Sequence, residues 1–227
     1  MTAVRKLTLL ALGGALSGIA APFVVTPSGL NPGDTYRLVF STTGQIGGTS
    51  ANVSDYNTFA TNQADASAQL LALGTNWSAI VSTPSVNAID NIGGASAVPI
   101  YNLAGDLVAN GTAGLFSGSL MAPIDIPFCC APVWTGTNIS GTADNPLGGT
   151  SDAGQAELGS PPQTNANWIE LDVGSEKYTS WSLYAISGVL TVPSPATSTP
   201  EPVTVGVTTA GLLTILLASR RRNIHRS

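Results

Sequence analysis

The chain is predicted to adopt an α+β fold, and three features of its sequence say so. One stretch, Val53 to Leu73, carries apolar residues at helical spacing. A series of short apolar runs is bounded by Gly, Pro and Asn, the punctuation of strands and turns. The stretch 136–167 is rich in Gly, Asn, Thr and Pro and reads as long ordered loop.

In chain order, the run from Gly33 to Phe40 comes first. Apolar Tyr36, Leu38 and Phe40 alternate there with polar Thr35 and Arg37, the period of a half-buried strand. From Val53 to Leu73, Tyr56, Phe59, Ala60, Ala64, Ala68 and Leu71 recur on one helical face. Asp55 or Ser54 is positioned to cap this helix, and Gly74 to stop it. Trp77 to Val81 is a short strand, and Val86 to Ile92 a helical turn or loop. Val98 to Leu103, Asp106 to Val108 and Val133 to Thr135 are further short strands, and Trp181 to Val192 holds the last strong strand material. No internal repeat is visible between Phe23 and Pro193.

Composition narrows the function classes. Only 9% of the 227 residues are charged, against 43% hydrophobic, which excludes a disordered solvating chain. Long uncharged apolar stretches occur only at the two ends, so a polytopic membrane protein is excluded as well. Between Ala21 and Pro202 the only basic residues are Arg37 and Lys177, while all 13 acids lie there, a net charge of −11. Such a body has no clustered cations with which to grip phosphates, so nucleic acid is not an expected partner.

The positive charges sit at the termini. Arg5-Lys6, an apolar run from Leu7 to Leu16 and the small-x-small triplet Gly18-Ile19-Ala20 read as a secretory signal cleaved after Ala20. At the other end Pro193 to Pro200 is a Ser/Thr/Pro linker. The uncharged stretch 203–219 follows, at about 25 Å a minimal spanning helix. Arg220, Arg221 and Arg222 then mark the cytoplasmic side and leave the acidic body outside.

Pro200-Glu201-Pro202, the short apolar helix and the arginine cluster together resemble the PEP-CTERM sorting signal. That resemblance implies an exosortase as partner beside the secretion machinery. It also implies a precursor anchored in the inner membrane and a mature protein at the cell surface or in a polysaccharide matrix. The expected organisation is a signal at 1–20, an extracytoplasmic domain at 21–192 and a linker at 193–202. A sorting helix at 203–219 and a basic tail at 220–227 complete it.

Within the body, Asp55 to Phe59, Trp77 to Ser82, Ala88 to Asn91, Val98 to Leu103, Leu115 to Gly118 and Val133 to Gly136 follow one another much as motifs do in the endostatin-like domain of collagens. The resemblance implies a C-type-lectin-like fold. It transfers no site. Endostatin's disulfide cysteines, zinc-binding histidines and heparin-binding arginines have no counterparts here. The acid-Pro-acid/amide calcium motif of sugar-binding C-type lectins is missing too.

The candidate chemistry is sparse. The only histidine is His225, in the basic tail, so the body has none from which to build a Ser-His-Asp or Cys-His arrangement. Lys177 has no Ser-x-x-Lys before it, and Gly-x-Ser-x-Gly is absent. Cys129 and Cys130 are adjacent, closer at Cα than an ordinary disulfide requires. A strained vicinal disulfide, two thiols and a bond to another chain all stay open for them. Asp144, Asn145, Asp152 and Glu157 offer oxygen ligands in a turning backbone, either as a calcium loop or as ordinary capped turns. No other cofactor is expected. Trp134 and Trp168, with Trp181 and Tyr184, are either sugar-stacking faces or core.

These features lead to the expectation of a non-enzymatic structural or adhesive protein of the bacterial surface or matrix, with matrix polysaccharide or other surface proteins as partners. Two further readings stand beside it: a carbohydrate-binding module using the 136–167 loops, and a glycoside hydrolase using paired carboxylates.

Overall fold

The computed structural model describes residues 23–125, 131–150 and 154–195. The signal at 1–20, Cys129 and Cys130, Asp152, and the sorting motif, apolar helix and arginine cluster at 200–222 lie outside the described residues.

The described chain is mixed α and β, mostly sheet with few short helices. Ten strands form it: β1 (Thr35–Ser41), β2 (Ile46–Gly47), β3 (Trp77–Ala79), β4 (Ile100–Asn102), β5 (Leu107–Ala109), β6 (Val133–Trp134), β7 (Gln155–Gly159), β8 (Asp172–Glu176), β9 (Ser180–Ser187) and β10 (Leu190–Thr191). The helices are α1 (Val53–Asp65), α2 (Ala68–Leu71), α3 (Ala88–Asn91) and α4 (Gly111–Leu115). None of them is long and apolar enough to cross a membrane, a statement that covers the described residues only.

The main path through the sheet runs β5-β4-β1-β9-β6-β7-β8, with β10 added to β1 and with β2 and β3 added to β9. β9 is the hub, pairing antiparallel with β1, β2 and β3 and parallel with β6. Its side chains alternate between two apolar clusters. Leu183 and Ala185 belong to one apolar cluster, with Tyr56, Ala60 and Ala64 of α1. Tyr184 and Ile186 belong to a second cluster, with Ile100, Leu115, Ile124 and Trp168.

β1 repeats the pattern, with Tyr36, Leu38 and Phe40 in the first cluster and Val39 in the second. The strand is therefore covered on both faces and not half-buried, and Arg37 is only 6% exposed. Its guanidinium donates from Nε to the Ser187 carbonyl at 2.7 Å and from NH1 to the Ile92 carbonyl at 2.8 Å. Burial pulls the Arg37 pKa below its ordinary value.

The long helix expected over 53–73 is two helices. Asn52, two residues before the first expected cap, accepts from the Ser54 N–H at 3.3 Å. The chain then breaks at Ala66-Ser67, because the Ser67 side chain opens a second cap by accepting from the Leu70 N–H. Gly74, at φ +59°, ends the segment where the sequence placed its stop.

β10 closes onto the start of β1, whereas the beginning of the described body lies past the other end of that strand, where the Val24 N–H donates to the Leu103 carbonyl at 2.9 Å. Thr35 pairs with Thr191, the Gly33 N–H donates to the Val192 carbonyl at 3.0 Å, and the Val192 N–H to the Asp34 carbonyl at 2.9 Å.

Candidate functional site

The Gly-rich stretch after β6 is held against the body by its own main chain. Leu147 N–H donates to the Ser82 carbonyl at 3.0 Å and Gly148 N–H to the Gly48 carbonyl at 2.8 Å. Two glycines make this close approach feasible. A Cβ on Gly136 (φ +59°) would sit 2.8 Å from Ser82 O, and one on Gly148 (φ +71°) within 2.3 Å of the Ala51 backbone. Lys177 donates from Nζ to the Gly149 carbonyl at 2.8 Å and so ties the loop to the turn between β8 and β9.

β7 lies under this loop. Its backbone accepts at the Glu157 carbonyl from Thr135 N–H at 3.2 Å and Gly136 N–H at 3.1 Å, while Glu157 N–H donates to the Asn145 carbonyl at 3.2 Å. The side chain of Glu157 is thereby enclosed and only 3% exposed. Burial, assisted by the negative charges of Asp144, Glu170 and Asp172, pushes its carboxyl up to about 7, against an opposing hydrogen bond from Asn145. Asn145 itself sits at φ 45°, the one non-glycine residue with positive φ among those described, and its Nδ2 reaches Asp144 Oδ1 at 3.3 Å. Glu170 Oε2 accepts from the Ile139 N–H at 2.7 Å, closing the far end of the loop.

Three of the four oxygen ligands singled out from the sequence, Asp144, Asn145 and Glu157, are thus brought together. The fourth, Asp152, lies outside the described residues. Glu170 and Asp172 join them, and sequence reasoning missed both. They arrive through the β7–β8 hairpin, in which Leu158 faces Asp172 across the ladder. Among the described residues no group of three or more His, Cys, Asp or Glu side chains is arranged to hold a metal ion.

The aromatic candidates sort differently. Trp134, Trp168 and Tyr184 have no solvent-exposed surface, so they are core and offer no face to a sugar ring. Trp134 Nε1 donates to the Ile46 carbonyl at 2.9 Å, and the Tyr184 hydroxyl to the Trp168 carbonyl at 2.6 Å. Trp168 Nε1 is buried with no hydrogen-bond partner. Trp181 is half-buried and donates from Nε1 to Ser175 Oγ at 2.7 Å.

Chemically, the cluster is a protonatable carboxyl set among carboxylates. A general acid needs hydrogen-bond reach of its substrate atom, and so enclosed a carboxyl offers very little. Its geometry suits a packed, pH-sensitive tie between loop and sheet. No family model matches the chain, and no curated protein matches it.

Proposed function

We propose that the chain is an exported protein with a PEP-CTERM-type sorting tail, carrying one compact C-type-lectin-like, endostatin-like domain as a structural or adhesive element of the bacterial surface or matrix. The observation that carries the reading is the placement of charge. The two basic residues in the body are both buried and bonded to main-chain carbonyls, so every charged side chain that the described residues show to solvent is acidic. The remaining basic residues bracket the chain at its ends, the arrangement that export followed by anchoring requires.

The test is expression in an exosortase-bearing bacterium and in its exosortase-deficient derivative, with fractionation and intact-mass measurement. The expected result is a surface or matrix form beginning at Ala21 and shortened near Pro200-Glu201-Pro202, with the longer precursor accumulating in the inner membrane of the deficient strain. Replacing the three motif residues by alanine should reproduce that accumulation. Uncut full-length chain in the cytosol would overturn the proposal. Release of reducing sugar from matrix polysaccharide, lost in Glu157→Gln, would replace it with the hydrolase reading.

A further inference from the structure

A cavity of about 640 Å³ opens on a different part of the molecule from the acid cluster. Its walls are apolar, with Phe40 and Leu70 on one core cluster, Leu103 packed beside it and Ile124 on the other. At that size and composition it lies within the range of ordinary small-molecule sites.

The polar groups in the cavity are mostly acceptors. Asp125 is half-buried and its Oδ2 accepts the Ser41 hydroxyl proton. The Thr43 hydroxyl is directed to Gln63 Oε1 at 3.5 Å, and Asn102 turns its amide inward to Pro123 and Asp106. Ser41 and Thr43 therefore present oxygen lone pairs to the space, beside a carboxylate, while the Gln63 NH2 and the Ser67 hydroxyl, whose oxygen accepts from the Leu70 N–H, are donors there. Among the described residues Asp125 has no basic neighbour, since Arg37 is directed to Ser187 and Ile92 and Lys177 to the loop at Gly149. Its negative charge also helps to raise the pKa of buried Tyr184, so it is felt from the cavity into the core.

A second observation points the same way. Asp34, Asp55, Asp65, Asp90, Asp106 and Asp172 are exposed and no exposed cation offsets them among the described residues. The field of such a surface concentrates cations and repels anions at the mouth of any cleft. We infer that this cavity binds a primary ammonium carried on an apolar stem, the ammonium against Asp125 and the hydroxyl oxygens of Ser41 and Thr43, the stem between Phe40, Leu70, Leu103 and Ile124. The inference does not depend on the sorting tail.

The probes are three molecules of nearly one size: 2-phenylethylammonium, neutral 2-phenylethanol and anionic 3-phenylpropanoate. Each is titrated by calorimetry into the protein purified from the exporting host. The ammonium should bind about tenfold tighter than the alcohol or better, as a charge-assisted hydrogen bond in a partly desolvated site allows, and the carboxylate no better than the alcohol. Asp125→Asn keeps an acceptor for Ser41 and should lower ammonium affinity to that of the alcohol, whose own unchanged affinity reports an intact cavity. Leu70→Trp, filling the space, should weaken all three. The inference is overturned if the alcohol matches the ammonium, if Asp125→Asn keeps the preference, if Leu70→Trp leaves ammonium binding unchanged, or if no probe binds.

Discussion

Replacing Glu157 with glutamine removes a titrating group while keeping its shape and a carbonyl acceptor for Asn145. In an unfolded chain this glutamate ionises near its ordinary value of 4.5, whereas the folded environment holds it protonated up to about 7. Between those values the native state binds the extra proton, so stability falls as pH rises through the window and is level above it. At about 1.4 kcal/mol per pH unit the whole displacement corresponds to roughly 3 kcal/mol. The variant should therefore match the wild type at pH 4.5 and exceed it by up to about 3 kcal/mol at pH 8, with most of the gain appearing between pH 5 and 7. Urea unfolding followed by tryptophan fluorescence at half-unit pH steps measures this directly. The surplus should be smaller in an Asp144→Asn background, where one of the repelling charges is gone. A stability difference independent of pH, or one growing toward acid, would refute the account of Glu157.

Three further outcomes follow from the packing. Gly148→Ala forces a Cβ to within 2.3 Å of the Ala51 backbone and should cost about 3 kcal/mol or prevent folding, whereas Gly74→Ala meets open space and should cost only the left-handed backbone penalty of about 1–2 kcal/mol; thermal unfolding separates them. Trp134→Phe breaks the bond to Ile46 and should be the worse of a pair with Trp168→Phe, whose indole N–H has no partner to lose, by about 1–2 kcal/mol in urea titrations. Arg37→Lys exchanges a fork serving two carbonyls for a single ammonium and should destabilise by about 1–2 kcal/mol, with little dependence on salt because the partners are carbonyls and not carboxylates.

Much of the sheet was legible because its strands are apolar and short. Trp77 to Val81, Val98 to Leu103, Asp106 to Val108 and Val133 to Thr135 each contain or overlap an observed strand. β7 was not legible. Gln155 to Gly159 carries a glutamate at its centre and shows no alternation, since both faces are covered and the register to β8 shifts between Ala156 and Glu157. The helix break was hidden for a related reason. Ala66-Ser67 continues the helical spacing, and only the competition of the Ser67 hydroxyl for the Leu70 N–H interrupts it. In the acid cluster, Asp144, Asn145 and Glu157 could be grouped because they share one loop-rich stretch. Glu170 and Asp172 could not, because a hairpin partner is set by register and not by nearness in sequence. Trp134 and Trp168 could serve a ligand face but are the kind of residue more often found in a core, and the core holds them: Trp134 packs in the cluster of Leu183 and Trp168 in that of Tyr184, on the two faces of β9.

The fate of the two body cations ties these results together. A basic residue at the surface would have paired with a neighbouring acid and softened the field around it. Here the guanidinium of Arg37 instead joins the end of β9 to the residue following α3, and the ammonium of Lys177 pins the Gly-rich loop at Gly149. Both supply donors to main-chain carbonyls that water cannot easily reach, a role worth more inside a protein than at its surface. The exposed acids take hydrogen bonds from neighbouring polar groups, as Asp55 does from Ser50 and Asp90 from Asn87, and the charges of Asp144, Glu170 and Asp172 add to the burial that raises the carboxyl of Glu157. Asp125, in its apolar cavity, is the same imbalance with room for a visitor. The internal use of the cations thus leaves an anionic exterior and a cavity carboxylate with no basic neighbour among the described residues, while burial first and the neighbouring carboxylates second hold the Glu157 proton up to about 7.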